Sequence, residues 1–211
     1  MLSTSPVPVF AFGGCHRLGT PSCRLAGAAA LALAQSGACI ATGCARGADA
    51  AVMHALIAAG RAAQLRVLCA FGPVLVSRGL ASAQGTCTAS APLAVARAGA
   101  AGARVSPWAG GPASVPLAGR LAQRTKAVAQ LATAGACIVV RHALGPGSLL
   151  LAQSVAARGL PVFVLSAAPS GDSLPLLCAG PGPWQRVSAG PLARLGAWAW
   201  LPQQQLSLLS V

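Results

Sequence analysis

Short apolar segments alternate with Ala-rich segments of helical length along most of the 211-residue chain, and Gly-containing turns separate them. The apolar segments predict strands at 7–12, 38–42, 65–71, 136–140 and 162–165. The Ala-rich segments predict helices at 22–35, 48–59, 93–101, 117–133 and 148–158. Such alternation is typical of a parallel sheet covered on both faces. We therefore predict an α/β protein with a single Rossmann-like, doubly wound domain at 1–166 and an irregular C-terminal extension at 167–211 that packs on it.

Acidic residues are almost absent from the chain. It has 15 Lys and Arg residues against Asp49 and Asp172, so the formal net charge is +13. These two acids build neither a glycosidase-type carboxylate pair nor a carboxylate-rich cage for Mg²⁺ or Ca²⁺. A body with this charge attracts polyanions, and phosphate binding releases counterions whatever the base sequence. The alternative is a compositional bias toward Arg that serves no partner.

The hydropathy pattern and the Cys spacing exclude further classes. No segment approaches the roughly 20 strongly apolar residues of a spanning helix, and residues 1–8 lack the features of a signal peptide. We therefore expect a cytoplasmic protein with no membrane partner. The eight Cys residues form no Cys-x-x-Cys pair, so we expect reduced thiols, no metal site and no cofactor. Cys15 and Cys44 are in Gly-rich loops, where we expect them to be more exposed than Cys39 and Cys137 in the apolar strands.

Three Gly-rich loops follow predicted strands, at 13–17, 43–47 and 145–148. In a doubly wound sheet, ligands bind beyond the carboxyl ends of the strands, where loops lead into helix N-termini. Glycine allows close approach of the backbone, and the unpaired N–H groups of a helix start favour an anion. An Arg in two of the loops adds a forked donor suited to phosphate. The predicted phosphate-binding residues are Gly13, Gly14, Arg17, Gly43, Arg46, Gly47, Asp49, Gly145, Gly147 and Ser148.

Several of these residues have a structural alternative. Arg46 either binds phosphate or pairs with Asp49 to brace its loop. Asp49 itself is expected to cap the helix that starts near residue 48 rather than to contact a ligand. Ser148 follows Gly147 at the start of a predicted helix, where capping the helix and donating to phosphate are compatible roles.

Basic and aromatic residues outside the loops are candidates for contacts with a nucleic acid. Arg120 and Arg124 share one face of a predicted helix, and Lys126 lies well round that helix from Arg124. The three are predicted either to bind nucleic acid or to form a plain solvated face. Aromatic residues make up 4% of the chain, and Trp108 is the best candidate in a loop for stacking on an unpaired base.

The segment Gly43-Cys-Ala-Arg46-Gly47-Ala-Asp49 resembles the Gly-x-Ala-Arg-Gly-x-Asp segment of the SLOG superfamily, and especially of the DprA/Smf family of DNA-processing proteins. Weaker matches flank it, namely the first strand with Gly13-Gly14 and Arg17, Arg124-Thr125-Lys126, and Gly147-Ser148-Leu149. The resemblance spans residues 7–165, with 72–115 poorly matched. Arg-Thr-Lys stands where the family has Arg-Asn-Arg, and Cys15-His16 stands where Ser is usual.

The resemblance implies a protein that binds single-stranded nucleic acid in DNA processing and recombination, forms a homodimer and loads a recombinase. Hydrolases of the same superfamily use a Glu that follows a Gly-rich turn, whereas this chain has no Glu. We therefore assign no catalytic residue and favour binding without catalysis. One alternative is a pocket of this superfamily that binds or processes a small nucleotide or a nucleotide-derived signal. A third is an interaction module whose charge is incidental.

Overall fold

The computed structural model of the chain describes residues 6–72, 90–166, 174–177 and 184–201. Within these ranges the helices are α1 (Thr20–Gln35), α2 (Ala48–Ala58), α3 (Ser90–Ala100), α4 (Leu117–Leu131) and α5 (Pro146–Ala156). The strands are β1 (Val9–Gly14), β2 (Cys39–Thr42), β3 (Leu65–Leu68), β4 (Arg104–Ser106), β5 (Gly135–Val140), β6 (Val162–Ser166), β7 (Gln185–Arg186) and β8 (Trp198–Trp200). Short 3₁₀ helices cover Ala62–Gln64 and Ala193–Leu195.

The eight strands form one mixed sheet in the order β4-β3-β2-β1-β5-β6-β8-β7. The strands from β4 to β6 in this order are parallel, and β8 pairs antiparallel with both β6 and β7. From β1 the chain adds strands toward one edge as far as β4, and it then returns through α4 to place β5 on the other side of β1. The topological switch point of this doubly wound sheet therefore lies between β1 and β5. The predicted Rossmann-like α/β fold is confirmed.

The helices cover both faces of the sheet and form two hydrophobic cores. On one face, α1, α2 and α3 pack around a core that includes Phe12 and Val139. On the other face, α4 and α5 pack around a core that includes Ala11 and Ile138. Neighbouring residues of β1 and β5 enter opposite cores because side chains alternate across a strand. β5 is buried along its whole length, as is typical of a central strand in a parallel sheet.

Three strands were not predicted from the sequence. β4 has three residues and lies within the segment 72–115, while β7 and β8 lie in the C-terminal extension. Strands this short cannot show the alternation by which a strand is recognised. β8 nevertheless joins the extension to the body of the sheet, because Trp200 pairs with Val162 and Trp198 with Val164. The domain boundary at residue 166 stays a prediction.

In the described ranges, no helix is both long enough and apolar enough to span a bilayer.

Gly14 of β1 packs directly against the backbone of β5, where it pairs with Val139. A Cβ atom on Gly14 would overlap the backbone carbonyl of Val139 and lie 2.9 Å from the Cβ of Ala48. Because neither group is the end of a flexible side chain, we expect Gly14→Ala to lower the free energy of unfolding by about 1–3 kcal/mol. Urea unfolding measures this loss.

Gly99→Ala is the matched control for this substitution. A Cβ atom on Gly99 meets Cγ2 of Val105 at 3.5 Å, an ordinary contact distance. Gly99 lies within α3, where Ala is favoured over Gly, so this change is expected to leave stability unchanged or raised. A Gly14→Ala protein as stable as the control would contradict the close packing of β1 against β5.

Candidate functional site

A cavity of about 660 Å³ opens at the carboxyl ends of β1, β2 and β5, at the switch point of the sheet. All three Gly-rich loops reach it. Eight of the ten predicted phosphate-binding residues line it, namely Gly13, Gly14, Arg17, Gly43, Arg46, Asp49, Gly147 and Ser148. The other two, Gly47 and Gly145, belong to the same loops but are not lining residues. Helix α4 forms a wall through Ala118, Leu121, Ala122, Arg124, Thr125 and Val128.

Hydrogen bonds between the loops hold them together at this edge of the sheet. The N–H of Cys15 donates to the carbonyl of Val139 at 3.0 Å, and the N–H of Ala48 donates to the carbonyl of Cys15 at 3.2 Å. Beneath them, the buried hydroxyl of Thr42 donates to the carbonyl of Phe12 at 3.1 Å. These bonds connect the ends of β1, β2 and β5, so they anchor the loops that line the cavity to the sheet.

Two helices begin at the cavity. α2 starts after Gly47 and α5 starts after Gly145, and neither N-cap residue makes a side-chain cap hydrogen bond. The first N–H groups of a helix have no acceptor within the helix, and the helix dipole places partial positive charge there. The N–H of Ala48 already donates to Cys15 and Pro146 has no N–H, so the later N–H groups of each first turn are the ones that can donate to an anion in the cavity.

Asp49 and Ser148 are not the cap residues that the sequence suggests. Gly47 and Gly145 occupy the N-cap positions of α2 and α5. Pro146 presets the backbone angle of the first turn, so α5 begins two residues earlier than predicted and Ser148 is buried inside that turn. Asp49 is likewise buried in the first turn of α2.

Asp49 pairs with Arg124 rather than with Arg46. Nη1 of Arg124 lies 3.6 Å from Oδ2 of Asp49, and the N–H of Ala45 donates to the same oxygen at 3.0 Å. Burial raises the pKa of Asp49, and the attraction of Arg124 opposes this rise. Gly43 provides the space for the pair, since a Cβ atom there would lie 2.5 Å from Nη1 of Arg124 and 2.6 Å from Oδ2 of Asp49.

The three basic residues of α4 do not form one surface. Arg120 is only 5% exposed, and its Nη1 donates to the carbonyl of Ala70 at 2.9 Å. Arg124 is 9% exposed and faces the cavity, whereas Lys126 is exposed to solvent. The alternative of a plain solvated face is therefore wrong for Arg120 and Arg124. Binding of nucleic acid by the three residues stays a prediction. Among the described residues that line the cavity, Arg17 and Arg46 are the exposed Arg residues.

Cys44 is buried, contrary to the expectation of an exposed loop thiol. The N–H of Ala70 and Nη1 of Arg124 donate to its sulfur at 3.4 and 3.5 Å. The hydrogen bond from the Cys69 thiol, together with the charge of Arg124, lowers the pKa of Cys44 to about 6 despite its burial. The same hydrogen bond raises the pKa of Cys69. These donors favour the thiolate form of Cys44. The sequence did not reveal this because the partners of Cys44 are distant in the chain.

The described ranges contain no cluster of three or more His, Cys, Asp or Glu side chains that could hold a metal ion.

The fold and the cavity define the chain as a Rossmann-like α/β protein with a ligand-sized cavity between Gly-rich loops at its switch point. No protein family and no curated protein sequence matches it. Among solved structures, it is similar to DNA processing protein A (DprA) from Streptococcus pneumoniae, with a TM-score of 0.53 and 18% sequence identity. The match covers 77% of this chain and 51% of that protein, so it extends over about half the length of the latter. This likeness shows the fold.

Removal of one partner from the Asp49–Arg124 pair leaves the other group buried without its ion-pair partner. We therefore expect Asp49→Ala to lower the free energy of unfolding by about 3–5 kcal/mol. The double variant Asp49→Ala/Arg124→Met is expected to lose less than the sum of the two single losses, because neither charge then stays buried. Arg46→Ala is the control, with an expected change within about 0.5 kcal/mol. Strict additivity of the two single losses in urea unfolding would contradict the pairing.

Ionisation of Cys44 can be followed by the ultraviolet absorbance of its thiolate. As pH rises, we expect one thiol to ionise with a midpoint of about 6, because its hydrogen bonds stabilise the charged form. This step should be absent from Cys44→Ser, and Arg124→Met should move it to higher pH. A titration curve that Cys44→Ser leaves unchanged would assign the thiolate to another residue.

Proposed function

We propose that this protein binds single-stranded nucleic acid through its phosphates, with one phosphate held in the cavity at the switch point. The convergence of two helix starts with Arg17 and Arg46 on one cavity carries the proposal. Backbone N–H groups and guanidinium groups are donors that suit phosphate oxygens. Contacts of this kind position a nucleic acid strand and carry no base sequence information.

The surface charge favours an extended polyanion as the ligand. Asp49 is buried in its pair with Arg124, and the other acid, Asp172, lies outside the described residues. Every exposed charged side chain on the described surface is basic. These residues are Arg17, Arg24, Arg46, Arg97, Arg104, Lys126, Arg141, Arg158, Arg186 and Arg194. Without carboxylates to balance them, these cations attract a phosphate chain beyond the cavity.

The proposal includes a role in DNA processing and recombination, with a homodimer and a recombinase as the partners that the sequence resemblance implies. The structural neighbour is named for DNA processing, which agrees with this role. Asp49 is the one acidic residue among the described residues that line the cavity, and it already forms an ion pair with Arg124. We therefore propose binding without catalysis.

A second candidate ligand is a small nucleotide held entirely within the cavity. The cavity volume of about 660 Å³ lies in the range of about 300–1,000 Å³ that is usual for small-molecule sites. The same loops would bind its phosphate. The many exposed cations away from the cavity favour the nucleic acid strand over this alternative.

Equilibrium binding of a labelled single-stranded oligonucleotide, measured across a range of salt concentrations, tests the proposal. Arg17→Ala and Arg46→Ala are each expected to weaken binding by about tenfold or more, since hydrogen bonds to charged groups contribute about 1.5 kcal/mol or more. Each substitution should also reduce the slope of log K against log salt by about 0.7, because one phosphate contact is lost.

Arg194→Ala is the matched control, because it removes the same charge from an exposed site that does not line the cavity. We expect it to change affinity far less than the two cavity substitutions. An equal loss in all three variants would show diffuse attraction and contradict a defined site. A mononucleotide that raises the melting temperature, with no oligonucleotide binding at moderate salt, would instead favour the second candidate.

A further inference from the structure

Trp108 has an unusual backbone conformation in the loop after β4. Its φ is 53°, and among the described residues other than glycine it alone has a positive φ. Bulky side chains avoid this region, and they occupy it only where the surrounding structure enforces it. Here the N–H of Trp108 donates to the carbonyl of Phe71 at 3.0 Å, which holds the loop beyond the end of β3. The residue is nevertheless 36% exposed.

Contacts with the protein hold the indole ring in place. Cζ of Arg120 lies 5.7 Å from the centroid of the Trp108 ring, within the range of a cation–π interaction. A Cβ atom on Gly72 would lie 2.6 Å from Nε1 of the ring, so the ring packs directly on this glycine. Arg120 is itself buried and bonded to the carbonyl of Ala70. Trp108 is therefore exposed while contacts hold its ring in place, so a ligand that stacks on it loses little conformational entropy.

Trp108 lies on the same edge of the sheet as the cavity. β4 ends at Ser106, two residues before Trp108, and it runs parallel to the strands that end at the cavity. Arg120, which contacts the ring, is four residues from Arg124 on α4, or about 6 Å along the helix axis. Arg124 forms part of the cavity wall. A strand with one phosphate in the cavity can therefore extend along α4 toward the Trp108 ring.

We propose that Trp108 is a stacking platform for an unpaired base of the strand whose phosphate occupies the cavity. This inference rests on the proposed function and adds the contact that distinguishes a nucleic acid from other polyanions. Stacking on an aromatic ring tolerates every base, so Trp108 adds affinity without selecting a sequence. Arg120 is a positioning residue that supports the ring from the protein side.

Paired binding measurements test the platform. A base-containing oligonucleotide and an abasic oligonucleotide of equal length are titrated at one salt concentration with the wild type, Trp108→Ala and Trp108→Phe. Trp108→Ala is expected to weaken binding of the base-containing strand by about 5- to 150-fold and to leave abasic binding unchanged. Trp108→Phe should keep most of the affinity. Tryptophan fluorescence should be quenched when the base-containing strand binds the wild type and unchanged when it binds Trp108→Phe.

The outcomes separate the platform from the proposed function. Equal loss of both oligonucleotides in Trp108→Ala, or no loss of either, overturns the platform while the results for Arg17→Ala and Arg46→Ala still decide the proposed function. A wild type that binds neither oligonucleotide overturns the proposed function and this inference with it. If Trp108→Ala fails to fold, Trp108→Asn replaces it, because Asn tolerates a positive φ and also lacks the ring.

Discussion

The buried ion pair between Asp49 and Arg124 is the interaction on which the cavity depends. It joins α2, which follows β2, to α4, the helix that returns the chain across the sheet to β5. Buried charges are tolerated only when they are paired and their remaining groups are hydrogen-bonded. Here Ala45 donates to the carboxylate, and Arg124 donates to Cys44 and to Thr125. The pair therefore holds α4 in place as a wall of the cavity.

The same pair determines which charges a ligand meets. Arg124 engages Asp49, which is buried, and Arg124 also donates to the sulfur of Cys44. Among the described residues that line the cavity, Arg17 and Arg46 carry the exposed guanidinium groups, and these can contact an anion. A strongly basic composition thus becomes a site with defined donors, because Asp49 and Arg124 neutralise each other in the interior. On the described surface, the exposed cations have no acid to pair with.

The parts of the fold that depend on residues close together in the sequence were predictable. Alternating apolar and Ala-rich segments identified the parallel sheet, and the glycines at 13–14, 43 and 147 marked loops that the structure brings to one cavity. β4 and β8 were missed because three residues carry no periodicity. The spacing of Arg120 and Arg124 placed them on one helix face, but Arg is rarely buried and the sequence does not show that this face turns inward.

The sequence by itself determined the alternation of strands and helices, the glycine turns and the excess of positive charge, because each depends on neighbouring residues or on composition alone. Only the tertiary structure decided which strands flank the switch point and which charges are buried together. Cys44 and Arg124 meet across 80 residues of chain, and Arg120 reaches Ala70 across 50. Such contacts depend on strand order and on the path of α4 over the sheet, and no local pattern of residues encodes them.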